Sequence, residues 1–191
     1  LNKISWIKGS DYKIRLSAAS SGYQSVLPLS LITRFLSDLV LDNANKEDLS
    51  IKEKKQIEKE VNKVMNDKSL TDGVKFAMLR NISSRFKYSC FVNIVEEMEL
   101  NLYPESQRSV LFDLLSYANK IELNRLVLTT HSPYVINYLT LAAKAFLLTQ
   151  KISANETLQE RIKEVVPADS AIDPARLRIY ELIDGGVFRL S

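Results

Sequence analysis

The chain is short of several residue types, and each shortage removes a class of function. Its 191 residues include one cysteine, Cys90, one histidine, His131, and one tryptophan, Trp6. A lone cysteine excludes an intrachain disulfide and a cysteine-rich metal site. A lone histidine has no second imidazole, and one histidine with one cysteine does not complete a nitrogen or sulfur site, so His131 is not read as a metal ligand. None of the five glycines begins a G-x-x-x-x-G-K-[ST] loop, so the usual backbone cradle for nucleotide phosphates is missing. No apolar run approaches the ~18–20 residues that cross a bilayer, and no membrane partner is expected. No uninterrupted basic tract occurs. The formal net charge of +3 permits nucleic-acid contact without arguing for it. The opening Leu-Asn-Lys-Ile-Ser carries neither an initiator Met nor a signal-peptide pattern, and reads as the interior of a longer protein.

What remains is an ordinary globular composition, 46% apolar and 26% charged, in a length suited to one domain. Residues 1–17 hold short apolar patches around the turn-like Gly9-Ser10-Asp11 and read as strand, in a hairpin. The small, polar 18–22 stretch then opens "YQSVLPLSLITRFLSDLVL", whose Val26, Leu29, Phe35, Leu36 and Leu39 fall near helical spacing. Gly22 stands at that helix's entrance, where Pro28 is acceptable only if it falls in the first turn. Residues 42–68 are polar, with lysines nearly matched by acids. Ser50 and Glu53 fit a capping box, and Ile57, Val61, Val64 and Met65 form a narrow stripe. This segment reads as a solvated helix with one docked face, or as a DNA-binding helix. Another helix is expected over about 74–86.

The rest alternates in the α/β manner. A strand over 90–95 leads to a helix over 105–119, entered at Pro104. A strand over 125–130 precedes His131-Ser132-Pro133 and a helix. The segment "AKAFLLT" (143–149) reads as a strand, 155–165 as a polar helix, and "LRIYELIDGGVFRL" as a closing hairpin turning at Asp184-Gly185-Gly186.

Three small constellations carry chemistry. The strand in "CFVNIVEEMELNLYP" runs into Glu96 and Glu97. In an α/β sheet, ligands gather beyond the carboxyl ends of strands, where one carboxylate holds Mg²⁺ while its neighbour orients water. Exposed acids are also ordinary at strand ends. Glu99, alternating with Glu97, is expected to face away or to line a subunit contact. "TTHSP" places His131 at the end of the next strand, where an imidazole can meet a phosphate or an attacking water, or serve structure alone. "SSGYQS", from Ser20, puts free N–H groups and Gly22 at a helix start, which suits a phosphate and equally an ordinary N-cap.

Taken in order, these motifs resemble the C-terminal half of an ABC-type ATPase, in the SMC/RecF-like and OLD-like branch of bacterial AAA-type proteins. Ser20-Ser21-Gly22-Tyr23-Gln24 resembles the signature motif. Cys90 to Glu97 resembles Walker B with its catalytic glutamate, Leu100 to Gln107 the D-loop region, and Thr129 to Pro133 the switch-histidine loop. The resemblance spans roughly residues 12–40 and 90–190.

It implies an α/β fold: the C-terminal portion of a P-loop NTPase head, with a mostly parallel sheet flanked by helices, a helical insert and a C-terminal hairpin. The whole of 1–191 is then a single ATPase-domain fragment. Its signature helix covers 18–41, its insert 42–88 and its Walker B, D-loop and switch-histidine core 89–191, while the Walker A half is absent.

The implied roles follow the motifs. Glu97 and His131 are catalytic, Glu96 holds metal, and Ser20, Ser21, Gly22 and Gln24 meet the nucleotide of the opposite subunit. The implied cofactors are ATP and Mg²⁺, which need the missing Walker A half for tight binding. The implied partners are a second copy joined through ATP and, by family habit, DNA or a separate effector protein, in the cytoplasm. The fragment alone is expected to be inactive.

Three departures stand out. Tyr23 replaces the signature's second glycine, Glu96 stands for Asp, and Met98 stands where Pro is usual and would loosen the turn. An ABC transporter subunit is disfavoured by the roughly 50 residues between signature helix and Walker B. A non-catalytic interaction domain that keeps the motifs as relics is the remaining rival.

Overall fold

The computed structural model describes residues 6–45, 51–67, 69–85, 89–152 and 155–190. The chain is α/β and mostly helical. Two short strands, β1 (Trp6–Lys8) and β2 (Lys13–Arg15), form the expected antiparallel hairpin. Helix α1 (Ser21–Asn45) follows a 3-10 turn at Leu16–Ala18. Next come α2 (Ile51–Asn66), α3 (Asp72–Arg85), β3 (Val92–Glu96), α4 (Pro104–Asn119), β4 (Arg125–Thr129), α5 (Pro133–Lys151) and α6 (Glu156–Val165). The hairpin β5 (Tyr180–Ile183) and β6 (Gly186–Arg189) closes the chain, and its two turn residues, Asp184 and Gly185, both have positive φ. That is the backbone twist a two-residue hairpin turn requires.

By contacts the chain divides into two compact units, Leu1–Arg34 with Val92–Ser191, and Phe35–Phe91. In the second, α2 packs on α3. Val64 is buried and Ile57 and Val61 are half-buried, so the expected stripe is present, whereas Met65 lies off it and is exposed. Ser50, the expected cap, lies outside the described residues.

The core of the first unit forms between α4, α5 and one face of the β3–β4 pair. Helix α4 buries Val110, Leu111, Leu114 and Leu115, a stripe repeating at helical spacing, with Phe112 beside it. Helix α5 answers with Val135, Leu139, Ala142 and Ala145. From the strands Val95, Leu126 and Leu128 face this core, and Val26 and Leu29 of α1 pack against it. A strap over 168–172 crosses α4: Ser170 Oγ donates to the Phe112 carbonyl (2.9 Å), and Asn119 Nδ2 donates to the carbonyls of Asp169 (2.8 Å) and Ala171 (2.9 Å).

Several expectations need correction. Residues 143–149 are not a strand but the last part of α5. Their short apolar run is outweighed by the stripe 135, 139, 142, 145, which continues without a turn residue and is rich in the helix formers Ala and Leu. The sheet is also smaller than expected. Among the described residues there are three two-stranded sheets, and only β3–β4 is parallel. Pro28 lies inside α1, at its eighth residue, rather than in its first turn, so the helix forgoes the N–H bond to Gln24. Finally, α1 over Ser21–Asp42 is long and apolar enough to cross a membrane by length and composition alone. Its buried Thr33 accepts a 2.9 Å bond from Asn93 Nδ2 on β3.

Two predictions follow from this packing. Leu111 is fully buried, so Leu111→Ala is expected to cost about 2–5 kcal/mol in urea unfolding. Partial burial, and then the Asp169 charge beside it, raise the Asp113 carboxyl above its ordinary value. A raised folded-state value means that ionisation weakens the fold. This group's contribution is complete below the unfolded value and fades as pH rises through the folded one. Asp113→Asn is therefore expected to raise the unfolding midpoint at pH 7, and the gain should vanish once pH falls below roughly 4.

Candidate functional site

The parallel pairing of β3 with β4 determines which loops meet. In register, Val92 pairs with Arg125 and Glu96 with Thr129, so both strands end at the same level. One residue further, the Glu97 N–H donates to the Thr129 carbonyl at 3.0 Å and lies 3.3 Å from Thr129 Oγ1. Glu97 then leaves the strand with φ 46, a left-handed conformation uncommon for a side-chain-bearing residue. Backbone strain of this kind costs on the order of 1 kcal/mol or more and persists only where the surroundings enforce it.

Two successive tight turns follow, closed by Leu100 N–H to the Glu97 carbonyl and Leu102 N–H to the Glu99 carbonyl, each 3.0 Å. Asn101 supplies a second left-handed position, φ 59, which Asn tolerates well. Met98 is buried with the core and anchors the turn rather than loosening it.

Glu97 and His131 come together at this edge. His131 Nε2 lies 3.7 Å from Glu97 Oε1, within ion-pair reach when the imidazole is protonated and too long for a hydrogen bond. The imidazole is largely exposed, 88%, and the Glu97 side chain 42%. Both therefore face solvent and any ligand that enters from there. Glu96, the last residue of β3, is exposed beside Thr129. Among the described residues no cluster of three or more His, Cys, Asp or Glu forms a metal site. A hard cation held by Glu96 would draw its other oxygens from water and phosphate, as Mg²⁺ commonly does.

Two residues hold the His131 loop in place, and neither was expected to. Glu99 does not face away: its Oε1 accepts the His131 backbone N–H at 2.7 Å, and its Oε2 is enclosed with no partner among the described residues. Buried Gln107 accepts the Ser132 hydroxyl at 2.7 Å and donates from Nε2 to the Leu102 carbonyl at 3.0 Å. Ser132 stands at the N-cap position of α5 but spends its hydroxyl on Gln107, while its N–H reaches Thr130 Oγ1 at 3.0 Å. Pro133 at the first helical position removes one N–H that would need a cap.

The start of α1 meets the same turn. Ser20 takes the first helical bond, from Gln24 N–H at 3.1 Å, and Ser20 and Ser21 are exposed. The Gln24 side chain folds back, donating to the Ala19 carbonyl at 2.8 Å and the Ser17 carbonyl at 3.4 Å. Its amide therefore braces the helix entry instead of reaching outward. Close approach at Gly22 serves the protein's own backbone: a Cβ there would lie 2.9 Å from the Asn101 carbonyl oxygen. The turn after Glu97 thus touches the α1 start on one side and the His131 loop on the other.

Comparison with family models, curated proteins and solved structures returned no match. The chemistry available is that of the residues themselves: a carboxylate and an imidazole side by side, a second strand-end carboxylate, and a helix N-terminus joined to them through one turn.

Because the obstacle at Gly22 is a main-chain oxygen inside a doubly turned loop, Gly22→Ala is expected to cost about 1–3 kcal/mol in chemical unfolding. Stability equal to the wild type would show that the turn shifts freely.

Proposed function

We propose that this chain is the C-terminal half of an ABC-type ATPase head, in which ATP draws two heads together and hydrolysis releases them. The observation that carries this reading is the pairing of Glu97 and His131 at the carboxyl ends of two neighbouring parallel strands. Ligands of open α/β sheets bind beyond such edges.

In this mechanism Glu97 accepts a hydrogen bond from the attacking water and takes its proton as the oxygen bonds to the γ-phosphorus, while the bond from that phosphorus to the bridging oxygen breaks and ADP leaves. The left-handed turn holds the carboxylate clear of the strand, so it reaches solvent without a change of backbone. His131, on the neighbouring loop, donates from Nε2 to a γ-phosphate oxygen and reports whether that phosphate is present. Glu96 supplies an oxygen for Mg²⁺, which when bound offsets phosphate charge.

Ser20, Ser21 and Gly22 present hydroxyls and the unpaired first N–H groups of α1 to the nucleotide of the opposite copy. Gln24 contributes by bracing that entry. The phosphate-cradling loop comes from outside this sequence, so the chain by itself is not expected to turn over ATP. A cytoplasmic setting, and DNA or a separate effector protein as the object of the switch, go with the same reading.

The test uses the full-length protein carrying Glu97→Gln. With Mg-ATP its solution mass is expected to double and stay doubled, while turnover falls about 100-fold or more. ATP demonstrably bound with no change in mass would leave Ser20–Gly22 as a plain helix start. Unchanged turnover would remove Glu97 from its role. No ATP binding at all would favour a non-catalytic interaction domain.

A further inference from the structure

His131 is the site residue with the least to hold it. Its imidazole is 88% exposed, and its nearest charged partner, Glu97, lies 3.7 Å away, beyond hydrogen-bonding distance. Where the ring can reach is therefore set by its backbone, whose N–H donates to Glu99 Oε1 at 2.7 Å. We infer that Glu99 is a positioning residue, a carboxylate that fixes the His131 loop so that the imidazole faces the Glu97 carboxylate.

The bond is charge-assisted and short, the stronger kind of hydrogen bond. It also spans two loops, since the donor follows β4 and the acceptor follows β3, 32 residues apart. The other Glu99 oxygen is enclosed, so the carboxylate cannot drift into water without opening the turn. Gln107 tethers the next residue, Ser132, in the same way through a neutral side chain, at 2.7 Å. The two tethers have different consequences. Gln107 fastens the start of α5, whereas Glu99 fastens the one residue whose side chain enters the site.

The catalytic consequence rests on the ATPase reading above; the geometric one does not. The experiment therefore reads both, in the full-length protein carrying Glu99→Ala or Glu99→Gln. The first reading is hydrogen exchange of the His131 amide. Glu99→Ala is expected to speed it at least tenfold while the Val95 amide is unchanged, and Glu99→Gln, whose Oε1 still accepts, is expected to keep it slow. The second is ATP turnover. Glu99→Ala is expected to lower kcat by about 10- to 100-fold at nearly unchanged KM, with most of the loss recovered in Glu99→Gln.

Equal His131 exchange in wild type and Glu99→Ala would overturn the inference, and so would faster exchange without any change in kcat in an active enzyme. If the wild type shows no turnover, the ATPase reading fails and the exchange measurement alone decides Glu99. Should Glu99→Ala fail to fold, Glu99→Gln still tests the claim: a His131 amide that exchanges rapidly in that folded variant overturns it.

Discussion

Five parallel residue pairs between β3 and β4 carry the arrangement of this molecule. Parallel pairing brings the carboxyl ends of two strands to one edge, and the register sets Glu96 level with Thr129. Everything that follows either strand must then share that edge. The Glu97 N–H extends the pairing by one bond to Thr129, and the next residues turn sharply because the core claims Met98. A slip of one residue would send Val95 to solvent and Glu96 into the core, so register and burial enforce each other.

The same constraint explains why polar side chains cluster where they do. Two loops that leave neighbouring strands carry main-chain groups that no ladder can satisfy, and such groups must find side chains or water. Glu99 and Thr130 meet that need for the N–H groups of residues 131 and 132, and Gln107 meets it for the Leu102 carbonyl. The residues best suited to chemistry, Glu97 and His131, are left with exposed side chains on a braced frame. Rigid support beneath an accessible pair is the arrangement that suits catalysis, where geometry must be held before the substrate arrives.

Much of the frame was legible in the sequence because it is periodic. The stripe of α4 and the paired halves of both hairpins follow from spacing and turn residues alone. The end of α5 was not, since "AKAFLLT" is a mostly apolar run of strand length and shows its helical phase only when read back to Val135. The roles of Glu99 and Gln107 were hidden for a different reason. Each bonds across a gap of 25 or more residues, and no local pattern announces a side chain that serves a distant loop. Gly22 was read as part of a helix start that suits a phosphate or an N-cap, and its contact with the Asn101 carbonyl, far along the chain, leaves no local trace in the sequence. The extent of the sheet was overestimated because strand number depends on pairing partners rather than on the strands themselves.

The outer face of the β3–β4 pair has a consequence for handling the protein. Val92, Ile94 and Val127 stand there 58%, 68% and 47% exposed, with Ile94 paired to Val127 and Val92 two residues before Ile94 on β3. Each strand also has one edge without a ladder partner among the described residues. An apolar, hydrogen-bond-hungry strip of this kind is a template for added strands. The chain taken by itself should therefore be adhesive: prone to stick to its own copies at high concentration, and quieted by any strand that docks alongside.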